Sequence, residues 1–351
     1  MANASDFLIG ANDEHGLNPP TIGKRTPILP YINRSFYENE FNKQAKIAFI
    51  LACLRCGFRV YDVHPEVQDV SISTRVVRTN RAGVSLVVTF AYNASGSGTT
   101  FNNAQGIEVY YSPYNNYSNQ SKILSQDVFS KVVEFTGRAG RKVGTLSVGM
   151  LSNVRCPATL IEAGFMTNFV EAKLMINPTF VLNVGEGACA GVCDYLNVPY
   201  VERNLSNYPT IRQGSRGSFV VALQYLLNMY GFNLSTDGIF GFGTTNAVKQ
   251  FQTNNNLTAD GIVGVNTWRE LLNLNPSNQV LRRGSKTSAV LYLQKLLLSY
   301  LYPITNLDGI FGGETERAVK AFQAENGLVA DGVVGANTWR RLFSSSGRSQ
   351  I

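Results

Sequence analysis

The sequence contains few histidines and cysteines, the residues that most often bind transition metals, and no apolar run long enough to cross a membrane. Among 351 residues there are 2 histidines, 5 cysteines and 2 tryptophans, and no cysteine follows position 193. The longest purely apolar run, residues 47–54, is much shorter than the roughly 20 residues of a membrane-spanning helix. The N-terminus has no basic segment followed by an apolar stretch, so it does not predict a signal peptide. We therefore expect no membrane span, and we expect synthesis in the cytoplasm.

The cysteines lie in two close pairs and one isolated position. Cys53 and Cys56 have i,i+3 spacing, Cys189 and Cys193 have i,i+4 spacing, and Cys156 stands alone. The first pair is similar to a redox or zinc pair, but no second pair follows it at zinc-finger spacing. We therefore predict that all five are reduced thiols in the core, where cysteine behaves as a small hydrophobic residue.

Length and charge indicate several domains, the last of them basic. A chain of this length predicts two or three domains, and 44% apolar with 16% charged residues is typical of globular packing. The net charge is +7, and residues 201–351 contain 14 Lys and Arg against 9 Asp and Glu. A basic surface suits nucleic acid, a membrane surface or a cell-wall polymer. Because no nucleic-acid recognition motif is present, we predict no nucleic-acid partner.

The C-terminal part contains an internal repeat. A string that begins at Arg212 recurs at Arg282, and it places Trp268 in register with Trp339. Helical periodicity and Asp-Gly turns predict that each copy is a small all-α unit of three helices. In the first copy we expect helices at about residues 218–229, at 243–254 and from about 266, where Asn266 or Thr267 can cap the third. The large aromatic residues are interpreted as structural, namely Phe251, Phe322, Trp268 and Trp339.

The string shared by both copies, DGxFGxxT…AVxxFQ…DGxVGxxTW, resembles the peptidoglycan-binding repeat of bacterial and phage wall hydrolases. The resemblance covers about residues 210–343. It implies two modules that bind the glycan or the peptide of the cell wall.

Residues 1–200 alternate between strand-like and helix-like segments. This pattern predicts an α/β domain with a mostly parallel or mixed sheet flanked by helices. Functional side chains of such sheets gather at the carboxyl ends of the strands. The expected strands are residues 7–11, 58–63, 86–90, 107–111 and 158–161, and the expected helices are residues 41–56, 71–81, 123–136 and 182–196.

Candidate chemistry follows from the side chains at those ends. His15 follows the first strand, Glu38 and Glu40 open the first long helix, and Glu162 ends the strand ATLIE. One imidazole with carboxylates is a donor set that zinc accepts. A carboxylate at a helix start is also explained by the helix dipole, and this is the role that we assign to Glu40.

Several segments of this part are similar to zinc-dependent N-acetylmuramoyl-L-alanine amidases, over about residues 5–197. They are the His-Gly with GKRTP at 15–27, ExEFN at 38–42, SxxTRxxRTN at 71–80, TFAYNA at 89–94, GIEVYYS at 106–112 and LIEAGFMTN at 160–168. The resemblance implies that His15 and Glu38 are zinc ligands and that Glu162 is the catalytic carboxylate. We also expect Asn93 and Asn168, which lie in these segments, to contact substrate.

One position departs from the resemblance. The third zinc ligand of the family is a histidine in a string like SIHANA, and here Ala91 occupies its place. A methyl group cannot bind zinc, catalytic zinc usually has three protein ligands, and His64 is an unfavourable substitute. Two explanations stay open: a deliberately inactivated variant, with zinc absent or partly occupied, or a natural wall-binding pseudoenzyme. We prefer the first, because the other three site residues are intact.

These observations together predict a wall hydrolase. It would use Zn²⁺ and act on bacterial peptidoglycan, cleaving the amide bond between the lactoyl group of N-acetylmuramic acid and L-alanine of the stem peptide. The alternative is a non-catalytic wall-binding protein. Without a signal peptide, the enzyme would reach the wall as a phage endolysin through a holin pore, or as an autolysin after mother-cell lysis. The predicted segments are a catalytic domain at 1–200, a linker at 201–209, repeats at 210–274 and 279–344, and a tail at 345–351.

Overall fold

The computed structural model describes residues 2–16, 24–66, 68–272, 279–345 and 347. The chain divides into two compact units, the first comprising Met1–Ile28 with Ser35–Arg203 and the second comprising Leu29–Arg34 with Asn204–Ile351. Residues 17–23 of the segment 15–27, the end of the first predicted repeat at 273–274 and most of the predicted tail lie outside the described residues. No helix of the described residues is both long and apolar enough to cross a membrane.

The described part of the first unit forms one mixed sheet of six strands. They lie in the order β2-β1-β3-β6-β4-β5, and only β4 and β6 are antiparallel neighbours. The predicted α/β domain with a mixed sheet is therefore confirmed. The strands are β1 (Leu8–Asp13), β2 (Arg59–Asp62), β3 (Leu86–Asn93), β4 (Ile107–Tyr111), β5 (Gly140–Thr145) and β6 (Ala158–Phe165).

Helices cover both faces of this sheet. On β3, Phe90 packs against Phe49 on one face, while Ala91 lies in an apolar cluster with Met150 on the other. Successive side chains of a strand point to opposite faces, so the two contacts belong to different layers. The helices are α1 (Glu38–Arg55), α2 (Ile72–Ala82), α3 (Ser118–Thr136), α4 (Gly149–Ser152), α5 (Phe169–Ala172) and α6 (Pro178–Leu196), with 3₁₀ turns at Ala4–Asp6 and Lys173–Ile176.

Glycines allow α6 to pack closely between α1 and α3. A Cβ atom on Gly185 would lie 2.6 Å from the backbone nitrogen of Phe49 in α1. A Cβ atom on Gly191 would lie 2.5 Å from the Cα of Val128 in α3. A side chain at either position would push the helices apart, so the small residues of α6 set the spacing of this layer.

The structure corrects two predictions about the strands. The strand β5 was missed, because Gly140–Thr145 is an edge strand whose side chains are largely exposed and therefore lack an apolar pattern. The strand β6 continues to Phe165, so Glu162 lies within it rather than at its end.

The second unit contains three helices in each repeat, as predicted. The third helix of the first repeat begins one residue earlier than expected and its N-cap is Gly264, so the expected caps Asn266 and Thr267 are wrong. The helices are α7 (Ser218–Met229), α8 (Phe242–Asn254), α9 (Val265–Leu271), α10 (Ser288–Ser299), α11 (Gly313–Glu325) and α12 (Ala336–Ser344), preceded by a 3₁₀ turn at Leu205–Asn207.

The large aromatic residues of the repeats are structural. Phe251, Phe322, Trp268 and Trp339 are all buried, with at most 2% of each exposed. The indole nitrogen of Trp268 donates to the carbonyl of Pro209 at 2.8 Å, and Trp339 repeats this bond with Gln279 at 2.8 Å. Each tryptophan therefore ties the segment that precedes its repeat to the third helix.

Each repeat also contains two copies of one hydrogen-bonded motif. Alignment of the first repeat with the second does not reveal this repetition within each repeat. In the first copy the amide nitrogen of Gln224 donates to Asp237 at 2.9 Å and to Thr244 at 3.3 Å, and its oxygen accepts from the backbone of Gly238 at 2.9 Å. The glycine has a φ of 71°, which favours glycine. The motif recurs with Gln252, Asp260, Gly261 and Thr267; with Gln294, Asp308, Gly309 and Thr315; and with Gln323, Asp331, Gly332 and Thr338.

Candidate active site

The residues proposed for catalysis come together at the carboxyl edge of the sheet. His15 follows β1, and Glu38 is the first residue of α1. Glu162 of β6 is the register partner of Ala91 in β3. The backbone N–H of Tyr92 donates to Oε1 of Glu38 at 3.0 Å, which fastens the start of α1 to β3. Three elements thus bring one imidazole and two carboxylates to one place.

A third carboxylate, Glu14, lies in the same group and was missed by the sequence reasoning. Nε2 of His15 is 3.5 Å from Oε2 of Glu38 and 3.9 Å from Oε2 of Glu14. Donor atoms of the three residues all lie within 4.8 Å of one another. The backbone of Glu14 is held by Phe90 and by the side chain of Asn42, at 3.0 and 2.8 Å. Its position beside His15 was the available signal.

Three buried polar atoms of this site have no hydrogen-bond partner among the described residues. They are Nε2 of His15, Oε2 of Glu38 and Oε2 of Glu162. Buried polar atoms are nearly always paired in folded proteins, and each unpaired one needs an explanation. One nitrogen and carboxylate oxygens at this separation suit a divalent cation such as zinc.

The pKa shifts of the site residues also favour the binding of a divalent cation. Burial, assisted by Glu14, raises the pKa of Glu38 to about 7 against the lowering effects of Lys24 and the Tyr92 N–H. Burial and the neighbouring Glu38 also raise the pKa of Glu162 well above its usual range. Burial and Lys24 lower the pKa of His15 to about 4, so its imidazole is neutral at physiological pH. Carboxylates that are costly to ionise alone become favourable beside a cation.

The loop that carries His15 is fixed by its surroundings. His15 itself has a φ of 60°, in the left-handed region that non-glycine residues rarely adopt. A Cβ atom on Gly16 would lie 2.2 Å from the backbone nitrogen of Asp69, so only glycine fits there. Buried Arg75 joins the two segments, since it donates to Asp69 at 2.7 Å and to Asn12 at 3.0 Å.

His64 is not available as a substitute ligand. Its Nδ1 lies 3.0 Å from Oδ1 of Asp13, and its Nε2 lies 2.8 Å from the carbonyl of Gln68. Lys46, which is fully buried, donates to the same Asp13 oxygen at 2.9 Å and to Asp62 at 2.8 Å. This network lies under the loop of His15 and has a structural role.

Three other predicted residues have local partners. Glu40 accepts a hydrogen bond from the backbone of Tyr37 at 2.7 Å, which is the helix-terminus role expected for it. Asn93 donates to Glu108 at 2.8 Å. Asn168 caps α5, with its side-chain oxygen accepting from two backbone N–H groups at 2.9 and 3.2 Å. Contact of Asn93 or Asn168 with substrate stays a prediction.

Comparison with known families agrees with this architecture. Residues 25–194 match the N-acetylmuramoyl-L-alanine amidase family, and residues 216–271 and 286–342 match the peptidoglycan binding domain family. The N-terminal domain belongs to the N-acetylmuramoyl-L-alanine amidase family. Two peptidoglycan-binding repeats follow this amidase domain, as the motifs predicted.

Individual relatives match parts of the chain. An N-acetylmuramoyl-L-alanine amidase, CwlL of Bacillus licheniformis, is 32% identical over 160 residues, which are 38% of this chain and 44% of the relative. The endolysin of Bacillus phage SPP1 is 29% identical over 125 residues, 35% of this chain and 45% of the relative. A crystal structure of an N-acetylmuramoyl-L-alanine amidase from Clostridium difficile 630 has 26% identity and a TM-score of 0.48, covering 56% of this chain and 98% of that one. The chain thus spans less than half the length of these curated relatives.

Proposed function

We propose that the chain is a zinc-dependent hydrolase of peptidoglycan that cleaves the amide bond between the lactoyl group of N-acetylmuramic acid and L-alanine. In this proposal His15, Glu38 and Glu14 hold the metal, and Glu162 is the general base. The observation that carries it is the set of three buried atoms without partners, on His15, Glu38 and Glu162, at the sheet edge of an amidase-family domain.

The third ligand is where this proposal differs from the family pattern. Ala91 supplies no donor atom and is fully buried in an apolar cluster. Glu14 is adjacent in sequence to His15, and its carboxylate completes a group of three donors without moving the backbone. Three protein ligands are the usual number at catalytic zinc. The loss of activity expected from Ala91 stays a prediction. The position of Glu14 argues against this loss, because its carboxylate could replace the missing ligand.

The chain's own residues account for the proton transfers. When bound, zinc supplies polarisation of the scissile carbonyl and a lower pKa for the attacking water. Glu162 then removes a proton from that water and later gives it to the nitrogen of the departing L-alanine. Oε2 of Glu162 is buried and has no hydrogen-bond partner among the described residues, so it is available to accept this proton. His15 stays neutral, so its nitrogen keeps a lone pair for the metal.

Wall binding is the second part of the proposal. A cleft of about 590 Å³ lies between the two repeats, and we propose that it receives the wall polymer. The side-chain amides and hydroxyls and the one lysine that line this cleft suit a glycan or a peptide carrying acidic groups. The lining consists of Thr253, Asn254, Asn255, Asn256, Gln279, Val280, Leu281, Gly284, Ser285, Lys286 and Thr287. Release from the cytoplasm, through a holin or on cell lysis, is also a proposal.

Digestion of purified cell walls tests which bond is cleaved. An amidase creates new amino groups on alanine and no new reducing ends, whereas a glycosidase creates reducing ends. We expect the first result for the full chain. If the chain binds the walls but creates neither new amino groups nor new reducing ends, it is a binding protein.

Two variants complete this experiment. Glu162→Gln should lower the rate of amine release by roughly 10²–10⁴-fold, because the carboxamide cannot accept the proton. Glu134→Gln is the matched control in the same domain, since its carboxylate is 61% exposed and remote in sequence from the site. Equal rates for both variants would remove Glu162 from the mechanism.

A further inference from the structure

Four of the five cysteines meet where the end of α1 packs against α6. The Sγ atoms of Cys56, Cys189 and Cys193 all lie within 4.8 Å of one another, and Cys56 and Cys189 are 3.8 Å apart. Cys53 of α1 lies one helical turn before Cys56, beside Cys189 but outside this group of three sulfurs. All four residues are at most 6% exposed. In the sequence, no second cysteine pair lies at zinc-finger spacing from Cys53 and Cys56. The fold brings such a pair, Cys189 and Cys193, from more than 130 residues away.

The spacing of these sulfurs suits a metal and not a disulfide. A disulfide bond is about 2.05 Å long, so the sulfurs of Cys56 and Cys189 are not bonded. Two thiolates on a tetrahedral zinc ion, each about 2.3 Å from the metal, lie about 3.8 Å apart. The sulfurs of Cys56 and Cys189 have this separation without any change of backbone.

A backbone donor supports one of the proposed ligand sulfurs. The backbone N–H of Val201 donates to Sγ of Cys56 at 3.3 Å. The guanidinium of Arg55 is adjacent in sequence and pairs with the carboxylate of Glu186. Hydrogen bonds from neighbouring groups are the usual support of metal ligands.

Cys156 shows the contrast with an ordinary buried thiol. It is also buried, at 3% exposure. Among the described residues it belongs to no group of possible metal ligands.

We propose that Cys56, Cys189 and Cys193 form a structural site for a soft divalent cation such as Zn²⁺, with three thiolate ligands from the protein. Each thiol that becomes a ligand releases one proton to the solvent, and no oxidation or reduction takes place. The site is separate from the catalytic one, because the 18 residues of α1 place roughly 27 Å between its two ends. The metal would join α1, α6 and the segment at Val201 that ends the domain.

Cobalt is the probe that separates this site from the catalytic one. Thiolate ligands give Co²⁺ an intense charge-transfer absorption in the near ultraviolet, whereas imidazole and carboxylate ligands do not. We would add Co²⁺ alone to the reduced, metal-free full chain and record this band. The band should appear for the native chain and for His15→Ala, and binding should raise the melting temperature of both.

Cys189→Ala should abolish the band, because Cys189 is one of the three sulfurs that lie within 4.8 Å of one another, and Cys156→Ala is the matched control that should keep it. No band in the folded native chain, a band that survives Cys189→Ala, or a disulfide found by counting thiols in the unfolded metal-free chain would each overturn the proposal. Circular dichroism checks folding. If Cys189→Ala does not fold, the His15→Ala spectrum decides, with the band supporting the site and its absence overturning it.

Discussion

Among single residues, Glu14 decides whether the proposed metal site has three ligands. Its carboxylate lies beside His15 and Glu38, and Ala91 supplies no donor atom. If Glu14 is a ligand, Glu14→Gln should weaken zinc binding at the catalytic site by about 10-fold or more. Loss of a residue that only hydrogen-bonds to a metal ligand already weakens binding by about that much. Isothermal titration with zinc in a Cys189→Ala background measures this without interference from the thiols.

The reciprocal change sharpens this experiment. Ala91→His adds the family's own ligand to the same site, so it should restore zinc affinity to the Glu14→Gln chain. Glu134→Gln serves as the control for charge. An unchanged affinity in Glu14→Gln would show that Glu14 is a bystander, and that two ligands hold whatever metal binds.

Part of the site could be predicted from the sequence, because the chemistry of the motif residues follows from their identity. His15, Glu38 and Glu162 could be named from local strings, and the fold brings them together. Glu14 was missed, because its position beside His15 was the one local signal, and its placement depends on contacts of its backbone with Phe90 and Asn42. The meeting of the two cysteine pairs was missed for the same reason, since it depends on the packing of α1 against α6.

At the scale of elements, the fourfold glutamine motif should hold each repeat together. Gln252→Ala removes a buried amide and leaves the N–H of Gly261 and the carbonyl of Ile262 without their partner. Each unsatisfied buried group costs about 1–3 kcal/mol, so the free energy of unfolding should fall by about 3 kcal/mol.

Urea unfolding followed by tryptophan fluorescence measures this loss selectively. Both tryptophans of the chain, Trp268 and Trp339, lie in the repeats and are fully buried. Gln250→Ala is the matched control, because Gln250 lies two residues away on α8 and is exposed. A loss for Gln252→Ala no larger than that of Gln250→Ala would contradict the structural role of the motif.

Elements with a strong pattern were predicted well, and those without one were not. The amphipathic α7 was placed over its full length, Ser218–Met229, because its apolar residues repeat with helical spacing. The strand β5 has no such pattern, since an edge strand exposes most of its side chains. The cap of α9 was misplaced, because Thr267 uses its hydroxyl in the glutamine motif instead.

At the scale of the whole molecule, the two repeats should act together on the wall. They are joined by hydrogen bonds from Ser288 to Asn255 at 2.6 Å and to Glu270 at 3.1 Å. Two linked modules on a polymer can exceed the affinity of one by roughly 10²–10⁴-fold. We expect residues 204–351 to bind purified walls, and residues 204–272 to be retained much more weakly.

A sedimentation assay with washed walls compares the two fragments. The longer fragment keeps both buried tryptophans and the shorter one keeps Trp268, so tryptophan emission reports whether each fragment is folded. Equal retention of the pair and of the single repeat would show that binding does not depend on their linkage.

We propose that this chain hydrolyses peptidoglycan with Ala91 in place of the histidine. Purified walls are treated with the full chain, and the release of free α-amino groups on alanine is measured before chelation, after chelation and after zinc is restored. We expect release that chelation stops and zinc restores, because Glu14 supplies the third ligand. No release by this chain, together with release by the Ala91→His variant, would contradict it and show that Ala91 inactivates the site.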